Sequence, residues 1–251
     1  MENLSRRSFN QQLLGSLTAF GLIETLFAGD LFADAVKPVI QKWMADLNSL
    51  GKDLKDQKLK DVDFQAKLEE LYRQVDLAEL TKLIDLDRLA QKITYPAKGA
   101  ANLGIDLSKV EGLPSRLAFG RQIFAMRKGR SVVPHGHDNM STGFIVLRGD
   151  FVGKHYDRVE DRADHYLIKP TIDRVFKPGE CSTVSDHKDN VHWFKAESDP
   201  GFIFNIHVMG YNRENPRTPR RVYVDPDGEK VAGGLIVAKK ISAAQCHEKY
   251  G

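Results

Sequence analysis

Apolar residues recur at helical spacing through the first third of the chain. Val36, Val39, Ile40, Trp43, Met44 and Leu47 form one run, and Phe64, Leu68, Leu71, Tyr72 and Val75 a second. Leu77, Leu80, Leu83, Ile84 and Leu89 form a third. Three or four positions separate neighbours, which lines up one face of an α-helix. Gly51 and the charged stretch 52–61 are expected to divide the first helix from the second. Heptads are not sustained, so a long coiled coil is not expected. The Lys-, Asp- and Glu-rich faces read as solvated surface. Tyr95-Pro96 and the glycines at 99, 104 and 112 end the helical pattern. After Pro114 the period shortens. Short β-rich runs appear at 122–127, 142–147, 151–155, 166–168, 191–195, 202–208 and 221–224, separated by Gly, Pro and Asp. Many short strands at near-regular spacing predict a sandwich or barrel. The expected layout is a helical segment over 36–112, an all-β barrel over 113–240 and a tail over 241–251.

The first 35 residues have a different texture. Arg6-Arg7 precedes a run from Ser8 to Ile23 with no charge, and Ala33-Asp34-Ala35 offers a small-residue cleavage site. The run would span roughly 24 Å as a helix, short of a bilayer core of about 30 Å. A short apolar run behind a basic pair reads as an export signal rather than a stable span. Arg6, Arg7 and Phe9 resemble the twin-arginine signal of bacteria, which implies export of a folded protein to the periplasm by that machinery. Glu24 and Asp30 depart from the pattern. The alternative is an amphipathic helix of the folded protein. No later segment is long and apolar enough to span a membrane, so the mature protein is expected to be soluble.

Composition removes several function classes. The 251 residues are 41% hydrophobic and 28% charged, which suits a globular chain. Lys and Arg number 37 against 34 Asp and Glu, with both signs interleaved, so no nucleic-acid footprint is present. Two cysteines, Cys181 and Cys246, exclude a disulfide scaffold and a thiolate-rich metal cluster. One disulfide between them is compatible with the sequence. Eight histidines are the more informative count.

His135 and His137 lie two apart, and in an extended segment such side chains share a face. Both imidazoles can therefore reach one ion. The surrounding segment runs from Gly129 through His135, His137 and Thr142 to Gly149. Its spacing, G-x5-H-x-H-x4-T-x6-G, resembles the first motif of the cupin family, with threonine where that motif carries glutamate. The two glycines fit tight turns at the ends of a hairpin. After the turn signal Lys177-Pro178-Gly179-Glu180, the stretch Asn190-Val191-His192-Trp193-Phe194-Lys195 resembles the second motif through His192, without its downstream asparagine.

Pro134-His135-Gly136-His137-Asp138-Asn139-Met140 and the following Val146–Val159 are similar to the thiol dioxygenase branch, the plant cysteine oxidases and 2-aminoethanethiol dioxygenases. Asn139 stands for a glycine of that branch and Arg158 for a tryptophan. The similarity covers 114–212. It implies a double-stranded β-helix, or jelly-roll-like barrel, behind a helical segment. It also implies Fe(II) held by His135, His137 and His192 with no acid beside them, and a small thiol and O2 as reactants. Imidazole also suits zinc, nickel and copper, so iron comes from the resemblance. The same resemblance assigns substrate-side positions to Thr142, Tyr156, Asp157, Asn205 and Tyr211. Asn205 replaces an aspartate near the substrate amine. Arg121 and Arg127, on the strand leading to the histidines, are candidates to clamp a carboxylate, weighed against being surface arginines. His155 and His207 lie in expected strands where either could face the cavity, with a core histidine as the favoured reading, and His165, His187 and His247 read as exposed. Cys181 reads as a small buried hydrophobe. The competing function is a metal-binding cupin that oxidises nothing: a small-molecule binding module, lyase or isomerase.

Overall fold

A computed structural model describes residues 31–251 apart from Lys109 and residues 215–217, with backbone alone for 31–38. Arg6, Arg7 and the rest of the expected export segment up to residue 30 lie outside the described residues. The chain divides into two compact units, Met1–Lys42 and Trp43–Gly251. The described part of the first is the opening of helix α1 (Leu31–Lys55), which includes the 33–35 tripeptide.

In the second unit, α1 continues to Lys55 and is followed by α2 (Asp61–Arg73), α3 (Leu77–Leu83) and α4 (Leu86–Gln91). Gly51 does not end α1. A methyl group added there would fall within 4 Å of Ala118, Phe119 and Val208, so this face of the helix lies on the barrel, and the burial of Leu47 and Leu54 a turn to either side outweighs a helix cost of about 1 kcal/mol for glycine. Trp43 Nε1 donates to the Leu71 carbonyl at 2.7 Å and its ring stacks on Tyr72, which ties α1 to α2. Asp76 caps α3 by accepting from the amides of Ala78 and Glu79. Among the described residues no helix is long and apolar enough to cross a membrane.

Among the described residues twelve strands follow: β1 (Ala101–Leu103), β2 (Gly120–Met126), β3 (Ser131–Asp138), β4 (Met140–Arg148), β5 (Phe151–Asp161) and β6 (His165–Phe176). Then come β7 (Cys181–Val184), β8 (Val191–Ala196), β9 (Gly201–Met209), β10 (Arg220–Asp225), β11 (Lys230–Val231) and β12 (Leu235–Lys240). One sheet has the order β1-β2-β9-β4-β7 and the other β10-β3-β8-β5-β6-β12-β11. All pairings are antiparallel. The central order β2-β9-β4-β7 against β3-β8-β5-β6 is the eight-strand jelly roll of two Greek keys. The fold is therefore an all-β barrel of the double-stranded β-helix type behind a helical segment. The larger sheet also closes on itself, because β12 pairs with both β6 and β10. That closure removes two edges.

This arrangement buries both faces of several strands, so β3 and β4 are buried nearly throughout rather than alternating. Between the sheets lies a core of Phe124, Met126, Phe144, Phe151, Phe176, Phe194 and Ile203. Inside the closed ring lies a second core of Tyr156, Tyr166, Ile168, Val191, Val224 and Ala238. The outer face of the smaller sheet is covered by α2. Gln65 donates to Thr183 at 3.3 Å and accepts from Ser185 at 2.7 Å.

Gly129 and Gly149 both have φ near +80°, in the left-handed region that glycine enters without steric cost. Asn139, between β3 and β4, also has positive φ, and asparagine is among the side chains that tolerate it best. Its amide exchanges two hydrogen bonds with the backbone of Asn212, each 2.9 Å. The stretch 36–112 contributes β1 as well as helices. Residues 241–251 carry helix α5 (Ala243–Tyr250), opened by a Ser242–Gln245 capping box. Cys181 and Cys246 are both free thiols. Cys181 is half-buried, and burial pushes its thiol up to about 11.

Candidate metal centre

Strand pairing brings the three motif histidines together. In β3, His135 and His137 fall on the face turned toward the smaller sheet. His192 on β8 is the cross-strand partner of His135. Ring centroids are 4.4 to 4.9 Å apart, and one ligand nitrogen from each ring lies within 4.8 Å of the others. All three side chains are buried.

Their hydrogen bonds fix which nitrogen faces inward. His135 Nδ1 is 2.7 Å from the Val133 carbonyl and His192 Nδ1 is 3.0 Å from the Asn190 carbonyl. A carbonyl only accepts, so both Nδ1 atoms carry the hydrogen and both Nε2 atoms keep a lone pair. His137 Nδ1 lies 3.4 Å from the Thr142 hydroxyl. The buried Nε2 atoms of His137 and His192 have no partner. Orphaned buried acceptors aimed at one point, with the opposite nitrogens anchored, are the arrangement a metal ion satisfies. Burial, and then the neighbouring imidazoles and Arg221, hold His135 and His137 well below their ordinary pKa. Burial brings His192 down to about 4. All three rings are neutral at pH 7 and available as ligands.

The cavity at the centre is about 10 Å³, room for roughly one water. Its wall includes Phe124, Val132, Met140, Phe144, Thr142, Asn205, His207 and Arg221. No Asp or Glu lines it among the described residues.

Of the expected substrate-side residues, Thr142 and Asn205 are in this wall. Asn205 accepts from Gln122 Nε2 at 3.1 Å and donates to the Gly143 carbonyl at 3.3 Å, so its amide is already oriented. The others lie elsewhere. Tyr156 follows His155 in β5, and alternation turns it into the closed ring, against Tyr166 and Val224. Asp157 accepts from the Asp189 amide at 2.8 Å and so holds the turn before β8. Tyr211 donates to Asp61 at 2.8 Å, beside His187. Arg121 directly precedes the inward Gln122 in β2, so alternation turns it to the opposite face of the strand, out of the barrel. Arg127 pairs with Asp199 at 2.9 Å and stands over the Tyr95 ring. Neither arginine reaches the centre.

Two further residues border the site. His207, expected as a core histidine, follows Asn205 by two positions on β9 and lines the cavity; that alternation is a usable signal. Arg221 on β10 arrives through pairing with His137 on β3, a contact no local pattern encodes. His155 is a buried core histidine, with Nε2 3.4 Å from Ser182 Oγ and Nδ1 without a partner. His187 is exposed, His165 is partly buried against Asp164, and His247 is half-buried in α5.

No protein-family model and no curated protein matches the chain. Many solved structures share part of its fold. The protein TT1209 from Thermus thermophilus is 14% identical, with 48% of this chain and 93% of that one covered at a TM-score of 0.34. A cupin superfamily protein from Desulfitobacterium hafniense is 15% identical over 48% of this chain and 87% of that one, at 0.32. An oxalate oxidase is 14% identical over 51% of this chain and 56% of that one, at 0.36. Strand order and side-chain geometry together define a double-stranded β-helix barrel with a buried group of three histidines that could hold a metal ion.

Proposed function

We propose that the centre holds Fe(II) and that the protein oxidises a small thiol with O2 to the sulfinic acid, RSH + O2 giving RSO2H. The observation that carries this reading is the convergence of three neutral imidazoles with no carboxylate in the wall. Such a donor set leaves the full charge of a divalent ion uncompensated and so favours an anionic ligand such as a thiolate. Iron, when bound, supplies the redox chemistry that joins oxygen to sulfur. The chain supplies the rest. Val133, Asn190 and Thr142 orient the rings, Phe124, Val132 and Phe144 keep bulk water out, and Asn205 presents a fixed amide. Zinc, nickel or copper would fit the same nitrogens.

A second reading is a metal-binding barrel that oxidises nothing: a binding module, lyase or isomerase. It is favoured by the small cavity and by Tyr156 and Asp157 lying outside it. The export segment 1–35, with Arg6 and Arg7, further places the mature protein in the periplasm under our reading, delivered by the twin-arginine machinery.

The test is elemental analysis of natively purified full-length protein, with H192A alongside, followed by oxygen uptake on a panel of thiols. About one metal per chain, lost in H192A, with thiol-dependent uptake supports the proposal. Full metal retention in H192A overturns the site. Bound iron with no uptake on any thiol overturns the oxidase in favour of the second reading. Blocked export of a folded reporter fused to residues 1–35 carrying R6K and R7K supports the localisation; unchanged export overturns it.

A further inference from the structure

Apart from the histidine centre, the turn between α1 and α2 and the segments that follow β7 and β9 border a cleft of about 510 Å³. That is room for a small organic molecule. Leu54, Leu59 and Val62 contribute apolar wall, and Asp61, His187 and Tyr211 meet in it.

Asp61 anchors this group. Its side chain is buried, and its Oδ2 accepts from His187 Nδ1 and from the Tyr211 hydroxyl, each at 2.8 Å, while Oδ1 accepts from the Val62 amide at 3.0 Å. Burial pushes its carboxyl up, but the bonds from His187 and Tyr211 outweigh that, so it stays ionised at pH 7. A carboxylate only accepts, so His187 Nδ1 carries the hydrogen and Nε2 keeps the lone pair. The His187 ring is 66% exposed with its Nδ1 edge on the buried carboxylate, which leaves the Nε2 edge to the open cleft. The His187 amide donates to Ser185 Oγ at 3.3 Å and steadies the backbone beneath the ring. An imidazole held in one tautomer by a buried carboxylate, with its other nitrogen on a cleft, is equipped to act as a general base.

We propose that His187, oriented by Asp61, is the general base of a second site that hydrolyses small neutral esters without a metal. His187 Nε2 takes a proton from a water molecule as the water oxygen bonds to the ester carbonyl carbon. The bond from that carbon to the alkoxide oxygen then breaks, and the proton on Nε2 passes to the leaving alkoxide. Water is the sole co-reactant, and nothing is oxidised or reduced. The Lys60 ammonium also borders the cleft, where it favours the negative charge that develops on the carbonyl oxygen. Asp61, Asp63 and Glu214 border it too and outnumber that cation, which disfavours a substrate that is itself an anion. Leu54, Leu59 and Val62 offer contact to the apolar part of the ester. Asp61 is a positioning residue: it touches His187 and not the substrate.

The experiment assays the full-length protein, H187Q, D61N and H165Q on the neutral methyl ester of para-acetoxybenzoate and on para-acetoxybenzoate itself, an anion. Each rate is normalised to hydrolysis by free imidazole at the same concentration, before and after treatment with a chelator. Wild type is expected to exceed imidazole on the neutral ester by at least about 10-fold, with about nine-tenths of that rate lost in H187Q and all of it kept in H165Q. Chelation should leave the rate unchanged, and the normalised rate on the anion should be several-fold lower. Imidazole nitrogen NMR should place the His187 hydrogen on Nδ1 in wild type and on Nε2 in D61N, whose amide can donate to Nδ1, and hydrolysis should fall in D61N with that change of tautomer. A rate that survives H187Q, or one that disappears with the metal, overturns the proposal; the second result would assign the hydrolysis to the histidine centre. Equal normalised rates on the two esters overturn the substrate class. Loss of hydrolysis in D61N with the tautomer unchanged overturns the role given to Asp61.

Discussion

Arg158 Nη1 donates to the Asp138 carboxylate at 2.9 Å and to the His137 carbonyl at 3.1 Å. Asp138 directly follows the second motif histidine and is almost wholly buried, with Arg220 Nε on its other oxygen at 2.9 Å. The arginine that departs from the thiol dioxygenase pattern is therefore a strut under the histidine strand, not a substrate residue. Removing it leaves a buried carboxylate with one exposed arginine. R158M is expected to lose about 2–3 kcal/mol of unfolding free energy, below the full cost of an orphaned buried charge because Arg220 remains. Urea denaturation at pH 7 measures this, and a change within about 0.5 kcal/mol would show that the pair is a surface contact.

Asn190 holds both histidine strands at once. Its Nδ2 donates to the carbonyls of His137 and Ser185, its Oδ1 accepts from the His137 amide, and its own carbonyl takes the His192 Nδ1 hydrogen. N190A strips the side-chain bonds and takes those partners from the His137 amide and the Ser185 carbonyl, while the His137 carbonyl keeps Arg158. The expected cost is about 2–4 kcal/mol in stability, with metal affinity weaker by roughly 10- to 100-fold. A competition titration against a chelator reads the second quantity. Unchanged affinity would mean that Asn190 does not position the rings.

The readable part of the site is the part encoded by short-range alternation. His135 and His137 share a face because they are two residues apart, and Gly129 and Gly149 mark the turns that bend their strands into place. Where resemblance overrides alternation, placement goes astray. Counting from the inward Phe151 already turns Tyr156 to the opposite face of β5. Arg221 is out of reach for a different reason. It meets His137 only because β10 returns to pair with β3, more than 80 residues along the chain. Strand β3 itself is expected only as an extended stretch, since Pro134 and Gly136 mask its pattern, and β7 is too short to show one. Gly51 reads as a break and is not one, because the decisive contact comes from the barrel.

Gly120 is the cross-strand partner of His207, and a methyl group added there would fall 2.2 Å from His207 Nε2. The obstacle is a ring on rotatable bonds, not backbone. G120A is therefore expected to swing His207 away from its present place while changing stability by less than about 1 kcal/mol. The imidazole resonances of His207 should shift, with those of His165 and His187 unmoved. A loss beyond about 3 kcal/mol would mean that the ring is locked by its surroundings.

The last device lies away from the metal, where α2 begins. Asp61 is buried, accepts from Tyr211 at 2.8 Å, and pairs with His187 Nδ1 at 2.8 Å. Burial pushes its carboxyl up, but the bonds from His187 and Tyr211 together outweigh that and hold it below the ordinary carboxylate value. A depressed carboxylate stabilises the fold fully above its unfolded pKa of about 3.9, and the contribution is lost as pH falls through the lower folded value. D61N keeps the shape and removes the charge. At pH 7 it is expected to unfold with about 1–3 kcal/mol less free energy than wild type. As pH falls below about 3.9 the two proteins should converge, because wild type then loses the same charge. Urea midpoints taken at pH 7 and at about pH 2.5 test this. A difference that stays constant across that window would place the stabilisation in packing and not in the ionised carboxylate.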